Sequence, residues 1–433
     1  MFTERLELFP ANTTIENDTL HISDVNLSQA AAEYGTPLYL YDAAEMDRSL
    51  AEYKQALDQY WQPGKWGITY AGKAYLSSYI CRWISRNGID LDCTGAGEIG
   101  IAAANQLPAA NIKVHGVNKN REDLAAAFAH AGTVIVDNLA ELARIAEMAK
   151  TAPASAPRLW LRFQPGAAVE THSYTLTGHS GSKFGMDAQQ IRQAHALCRQ
   201  NNLPLNGIHF HLGSQFRDPE PIGDAVSRTL DLVQELGFGA DWHLSPGGGW
   251  GVSYNEQELP HPVIAQYIAF LSSCIKEGCS QRGLALPMLH LEPGRTLVAR
   301  AGVAVYEVNA VKTVGGKTWA LIDGGLADNP RHALYEAKYT CLRVRRPLDG
   351  FGTSVSLAGP YCESGDVLIE DIDLPALAEG DLLAIPVSGA YHLSMASNYN
   401  GARKPAVVLI ENGKTRLIQR RETVQDLIKR DIQ

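Results

Sequence analysis

The residues with chemistry to offer stand at the ends of short apolar runs. Lys73 closes the run Gly67-Ile68-Thr69-Tyr70-Ala71-Gly72-Lys73, and His115, Asp137, His211 and Glu292 close others further along. An ammonium is costly to bury unless paired or neutralised, so a lysine in that position either snorkels into solvent or has a use. One such use is an imine with a carbonyl cofactor. Gly247-Gly248-Gly249 follows another run. Successive glycines let backbone N–H groups approach an anion such as a phosphate, although the same triplet also makes a plain flexible turn. Ser214 and Tyr391 offer hydroxyl donors to the same anion. Glu292 can hold a ring nitrogen protonated or pair with nearby Arg295. His209 and His211 share one face of an extended segment, a metal-ligand spacing, with ring stacking and core packing as the other readings. Further on, Gly359-Pro360-Tyr361-Cys362-Glu363-Ser364-Gly365-Asp366 sets a thiol beside a carboxylate. A thiol of pKa near 8.5 can protonate a carbanion, and a carboxylate can meet a substrate ammonium; the bland alternative is a small hydrophobe followed by a solvated acid.

Such residues need a scaffold that brings strand ends together. Apolar, strand-like runs occur at 66–73, 89–93, 112–115, 133–137, 158–164, 206–212, 241–246 and 288–292. Stretches of helical spacing lie between most of them, such as Leu139, Leu142, Ile145 and Met148. Continuous apolar strands separated by helices predict a parallel sheet covered on both faces. Eight of them predict a TIM-type (β/α)8 barrel, whose chemistry sits at the C-terminal strand ends. After Arg300 the texture becomes extended, at 303–312, 318–323, 340–346, 353–358, 381–387 and 406–418, with Asn412-Gly413 marking a hairpin turn. The chain is therefore read as α/β, a barrel followed by a C-terminal β-rich domain. The boundaries fall at 1–42 for an N-terminal segment joining the β domain, 43–300 for the barrel and 301–433 for the β domain. A terminal helix is expected at 422–429.

The 433 residues, 45% hydrophobic and 20% charged, can bury a large core. A formal net charge of -9 with no basic stripe argues against nucleic acid or an anionic membrane as partner, and for a small-molecule enzyme. Seven cysteines without C-x-x-C spacing point to reduced thiols in a cytoplasm. No signal peptide or membrane-spanning run is expected.

Taken in order, YAGKAY around Lys73, GSKFGM at 181–186, HFHLGSQ at 209–215, GGGWG at 247–251, LEPGR at 291–295, DGGLADNPRHALY at 323–335, GPYCESGDV at 359–367 and GAYHLSMASNYN at 389–400 resemble the alanine-racemase-type, fold type III family of pyridoxal-phosphate decarboxylases. The likeness spans nearly the whole chain. It implies pyridoxal 5'-phosphate as cofactor, no metal, and a homodimer whose active site is shared across the interface. It also implies decarboxylation of meso-2,6-diaminopimelate at its D centre to L-lysine. Carried over by motif, Lys73 resembles the lysine that holds the cofactor covalently and His211 the histidine stacked on its ring. Ser214, Gly248, Gly249, Gly294, Arg295 and Tyr391 resemble the phosphate binders, and Glu292 the partner of the ring nitrogen. Cys362 resembles the proton donor. Arg295, Arg331, Tyr335, Glu363 and Tyr391 match positions that bind the amino-acid substrate. A guanidinium forks onto a carboxylate as an ammonium does not, so two arginines suit a dicarboxylic substrate.

The chain departs from the family pattern at Gly72, Tyr75 and His332, which bears on substrate preference more than on the cofactor. Competing readings are a sister decarboxylase of ornithine, arginine, lysine or a carboxylated polyamine, a non-catalytic relative, and a metal-dependent hydrolase using His115, His209 and His211.

Overall fold

The structure, a computed structural model, describes residues 2–166 and 181–432 of the chain. It divides into two compact units. One comprises 51–251 and 262–294; the other comprises 1–50, 252–261 and 295–433.

The first unit is a closed barrel of eight parallel strands: β1 (Trp66–Ala71), β2 (Asp90–Cys93), β3 (Ile112–Val114), β4 (Thr133–Val136), β5 (Arg158–Arg162), β6 (Leu205–His209), β7 (His243–Ser245) and β8 (Met288–Leu291), with β8 pairing back onto β1. The residues of β3 and β4 are all buried, as expected of strands packed on both faces. The intervening helices carry their own start and stop signals. Asn120 and Asp187 close capping boxes at Arg121–His130 and Ala188–Gln200, while Gly88, Gly237 and Gly283 end three others in the left-handed conformation.

All eight expected strands form, but most are shorter than their apolar runs. His115, Asp137 and Glu292 lie one residue past their strands, and Lys73 and His211 two past. At the end of β1 the chain leaves the ladder. After Ala71, whose N–H donates to the Pro293 carbonyl at 3.1 Å, it turns through a 3-10 segment, Gly72–Ala74. Glycine at 72 has a local reason, since a Cβ there would sit 2.8 Å from the Asp92 carbonyl oxygen. Tyr75 is buried, and its carbonyl accepts from Tyr70 Oη at 2.7 Å.

The second unit is built on a sheet whose strands run in the order Val367–Leu374, Thr353–Ala358, Lys317–Ile322, Gly302–Val314, Leu38–Asp42, Ala406–Glu411 and Lys414–Gln419, with Leu342–Arg343 and Leu382–Ile385 joined beside Gly302–Val314. Leu38, Leu40, Val303, Val305, Val408 and Ile410 form the core of one face, covered by Phe9, Leu20, Ile22 and Leu27 from the N-terminal segment. The hairpin turn falls on Asn412 and Gly413, both at positive φ, 54° and 70°. The terminal helix is Val424–Ile428. Two features have no counterpart in the sequence reading. Val367–Leu374 carries Glu370, Asp371 and Asp373, an acid density that hides its strand character. A small antiparallel sheet, Thr13–Glu16, Thr19–Ile22 and Val25–Asn26, turns at Asn17-Asp18 rather than at a glycine. Among the described residues no helix is long and apolar enough to cross a membrane.

Candidate active site

The mouth of the barrel is organised around Glu292. Its carboxylate is buried, accepts from Ser245 Oγ at 2.7 Å and lies 3.1 Å from His209 Nε2. His115 Nε2 stands 3.5 Å from Glu292 and 3.7 Å from Asp92, without a hydrogen bond to either. Burial alone would raise the Glu292 pKa; the nearby His209 and His115, with the His209 hydrogen bond, outweigh it and hold the carboxyl well below its usual range. Glu292 is thus kept as an anion. Asp92 behaves oppositely, since burial pushes it up to about 6 even though His115 and Lys73 pull it down.

Lys73 is exposed on its turn, and its charge acts on Asp92, His209 and His211. His211 is half-buried. Its Nδ1 accepts from the Gly248 N–H at 3.3 Å, which fixes the ring as the Nε2–H tautomer, and burial followed by Lys73 and Arg162 drives its pKa well down, so it is neutral.

The glycines are sterically required. A Cβ at Gly248 would meet the Glu292 carbonyl oxygen at 2.1 Å, and one at Gly249, whose φ is +108°, would meet that of Gly213 at 2.0 Å. Gly294 is packed against Ala71 in the same way, at 2.9 Å. Ser214 lies half-buried in the neighbouring turn. An amine, a caged carboxylate, a neutral imidazole and a backbone cradle free of side chains therefore share one barrel mouth. The buried polar atoms Asp92 Oδ1, His115 Nε2 and His209 Nδ1 have no hydrogen-bond partner there. This donor set fits an aldehyde, a ring nitrogen and a phosphate, the groups of pyridoxal phosphate.

The histidines bear on the metal reading. His115, His209 and Glu292 offer ligand atoms within 4.8 Å of one another, a spacing a divalent ion can bridge. His211 is not part of that set, and the Glu292 oxygens already accept from Ser245 and face His209. Asp137 is structural, accepting from the Gly185 N–H at 3.0 Å and so pinning the GSKFGM segment to the barrel.

In the second unit, Arg295 and Arg331 are buried against one tyrosine. The Arg331 guanidinium carbon lies 4.4 Å from the Tyr254 ring centroid; that of Arg295 lies 5.7 Å from it and 4.5 Å from the Tyr391 ring. Arg295 donates to Tyr254 Oη, and Arg331 to Tyr339 Oη at 2.5 Å. Among the described residues no carboxylate lies within ion-pair distance of Arg331, although it is only 6% exposed. A buried cation held on aromatic faces without a counter-ion has the chemistry to receive an anion. Tyr391 is half-buried at φ +61°, and Tyr335 is half-buried at the end of the short helix Arg331–Tyr335. His332 fastens that helix, its Nδ1 lying 3.1 Å from the Ala337 carbonyl oxygen.

Cys362 and Glu363 are exposed on a loop closed by buried Asp366, whose carboxylate accepts from Leu326 N at 2.7 Å and Tyr361 N at 2.8 Å. Gly325 and Gly359 leave room for it, since a Cβ at either would come within 2.3 Å of that carboxylate. The loop presents an exposed thiol.

Asp92, Ser245, Tyr254, Tyr339 and His392 belong to these two clusters and escaped the sequence reading. Only His392 had a local signal, its place beside Tyr391 in a loop rich in hydrogen-bonding groups.

A family profile described as pyridoxal-dependent decarboxylase, pyridoxal binding domain, matches residues 43–299. The diaminopimelate decarboxylase of Bacillus subtilis is 38% identical over 421 residues, covering 95% of each chain. Among solved structures, diaminopimelate decarboxylase from M. jannaschii superposes with a TM-score of 0.89 at 30% identity over 98% of both chains, and is also known in complex with L-lysine. The Helicobacter pylori enzyme complexed with L-lysine gives a TM-score of 0.84 at 29% identity, covering 93% of this chain and 98% of its own.

Proposed function

Since the chain belongs to the diaminopimelate decarboxylases, pyridoxal-dependent enzymes of fold type III, we propose that it converts meso-2,6-diaminopimelate to L-lysine and CO2, the last step of lysine formation. The observation that carries this reading is the buried pair Arg295 and Arg331 on Tyr254, with no acid partner for Arg331 among the described residues. Ornithine, arginine and lysine carry no second carboxylate for such a pair, whereas diaminopimelate does.

Lys73 would hold the cofactor aldehyde, Glu292 its ring nitrogen and His211 its ring face. Ser214, Gly248, Gly249, Gly294, Arg295 and Tyr391 would hold its phosphate. When bound, pyridoxal phosphate supplies an electron sink for the pair left behind by departing CO2. Glu292 remains an anion because His209 and His115 hold its pKa down, so it can keep a proton on a nitrogen facing it. Arg331, Tyr335 and Glu363 would bind the far end of the substrate, and Arg295 and Tyr391 would contribute to both ligands. Cys362 would deliver the proton that replaces CO2. Its exposure suits delivery into the site of a second copy, so the working form is read as a homodimer. All seven cysteines are free thiols, which agrees with a cytoplasmic enzyme.

The test is direct. Purified protein loaded with pyridoxal phosphate is offered diaminopimelate stereoisomers, lysine, ornithine and arginine, and CO2 is measured. Release from the meso isomer alone is expected; faster release from ornithine or lysine refutes the substrate assignment. Lys73→Ala should abolish borohydride fixation of the cofactor and turnover together.

A further inference from the structure

Arg331 is linked to the Asp328 carboxylate through a chain of three buried side chains, Tyr339, His392 and Tyr39. Arg331 Nη1 donates to Tyr339 Oη at 2.5 Å, and Tyr339 Oη lies 2.9 Å from His392 Nε2. His392 Nδ1 lies 3.4 Å from Tyr39 Oη, which donates to Asp328 Oδ2 at 2.9 Å. Asp328 also accepts from Tyr306 Oη at 2.5 Å and from the Gly325 N–H at 2.9 Å. Every member is buried.

The proton order follows from the chemistry. Tyr339 Oη already accepts from Arg331, so its one proton goes to His392 Nε2. Burial, then Arg331 and Arg295, push the His392 pKa well down, so the ring is neutral and carries its proton on Nδ1, toward Tyr39. Tyr39 then gives its own proton to Asp328. All donors point one way, from guanidinium to carboxylate. Strained backbone delivers the central ring, since Val387 and Tyr391 take φ values of +55° and +61°, and Gly389 is packed so closely that a Cβ would sit 1.8 Å from the Val298 carbonyl oxygen.

We propose that Tyr339, His392, Tyr39 and Asp328 form a polarised relay that fixes the orientation of the Arg331 guanidinium for a substrate carboxylate, with His392 as the positioning residue that sets selectivity for a ligand bearing that carboxylate. This rests on the reading of Arg331 as a substrate binder. An oriented fork discriminates by geometry, so loosening it weakens the recognition of a carboxylate and leaves the amine end of the ligand untouched.

The experiment compares His392→Phe with the parent holoenzyme. The variant keeps a flat ring but removes both nitrogens. KM for meso-diaminopimelate is expected to rise about fivefold to tenfold, the range for one lost hydrogen bond, with kcat within about twofold. The inhibition constant of L-lysine, which keeps one carboxylate, should rise by the same factor, and that of 1,5-diaminopentane, which has none, should not move. His392→Gln, whose amide offers one acceptor and one donor, should recover most of the loss. An unchanged KM, or equal weakening of L-lysine and diaminopentane, overturns the relay. Circular dichroism and cofactor content report the fold. If His392→Phe does not fold, Tyr39→Phe cuts the same chain while Tyr306 still serves Asp328, and the same criteria apply. Arg331→Lys separates the two levels: if it changes nothing, the substrate reading fails, whereas an effect there with none at His392 fails the relay alone.

Discussion

Replacing Arg331 by lysine tests the substrate assignment most sharply. The guanidinium is 6% exposed, gives Nη1 to Tyr339 at 2.5 Å, and lies 4.4 Å from the Tyr254 ring centroid. An ammonium can keep the ring contact or the tyrosine bond, but it has no rigid fork with which to meet two carboxylate oxygens while doing so. The loss is one charge-assisted hydrogen bond, about 1.5–3 kcal/mol, or about ten- to 150-fold in kcat/KM. Most of it should fall on KM, because the contact is made to the end of the substrate that does not react. Steady-state CO2 release with meso-diaminopimelate gives the parameters, and the visible spectrum confirms that the cofactor is still loaded. A kcat/KM within about twofold of the parent, or an equal loss of affinity for 1,5-diaminopentane, refutes the reasoning.

Gly249→Ala places a Cβ 2.0 Å from the Gly213 carbonyl oxygen at a φ of +108°, so the cradle must open; cofactor affinity measured by dialysis into apoprotein should fall about tenfold or more, and an unchanged affinity removes Gly249 from the site. Cys362→Ala should slow turnover while the cofactor stays bound; unimpaired turnover would make the thiol a surface residue only. A pH effect is expected at the N-terminal side of the barrel, where His243 Nδ1 lies 2.9 Å from His290 Nε2 and stacks on Trp160. Burial, with Arg158 and Lys113, lowers the His243 pKa to about 4, while an unfolded histidine titrates near 6.5. Its folded value is depressed, so the stabilisation is present above pH 6.5 and is lost as pH falls through 4. The full shift amounts to about 3 kcal/mol, reduced to about 1–2 kcal/mol by partial exposure. His243→Phe should flatten the acid limb of urea stability between pH 7.5 and 4.5, and a limb identical to the parent's contradicts this.

The barrel was legible because buried parallel strands leave continuous apolar runs, and all eight are where those runs lie. Their ends were not, since Lys73 and His211 continue an apolar run in sequence while the backbone has already left the ladder. The motifs assigned to the cofactor stood out because Lys73, Glu292 and the three glycines sit in short, chemically odd strings. Arg295 and Arg331 stood out through the family motifs, but Tyr254 and Tyr339, on which they lie, did not. Tyr254, Arg331, Tyr339 and His392 reach one another through tertiary packing across more than a hundred residues, and no local pattern marks a tyrosine as the surface on which two guanidiniums lie. No sequence signal singles out Asp366, although its carboxylate accepts from Leu326 N and Tyr361 N in the loop that carries Cys362.

The two clusters also differ in how general they are. The profile shared by pyridoxal-dependent decarboxylases covers 43–299, and apart from Tyr391 every residue assigned to the cofactor falls inside it. Arg331, Tyr335, Tyr339, Cys362, Glu363 and His392 fall outside. Electrostatics divides along the same line. The barrel cages an anion, Glu292, among histidines and a serine, an arrangement useful to any reaction that needs a protonated ring nitrogen. The other unit holds Arg331 as a buried cation with no acid at ion-pair distance among the described residues. On the proposed reading, that arrangement serves a substrate that brings its own carboxylate. Changing the ligand of such an enzyme therefore requires altering Arg331 and the groups that orient it, and leaves the chemistry around Glu292 intact.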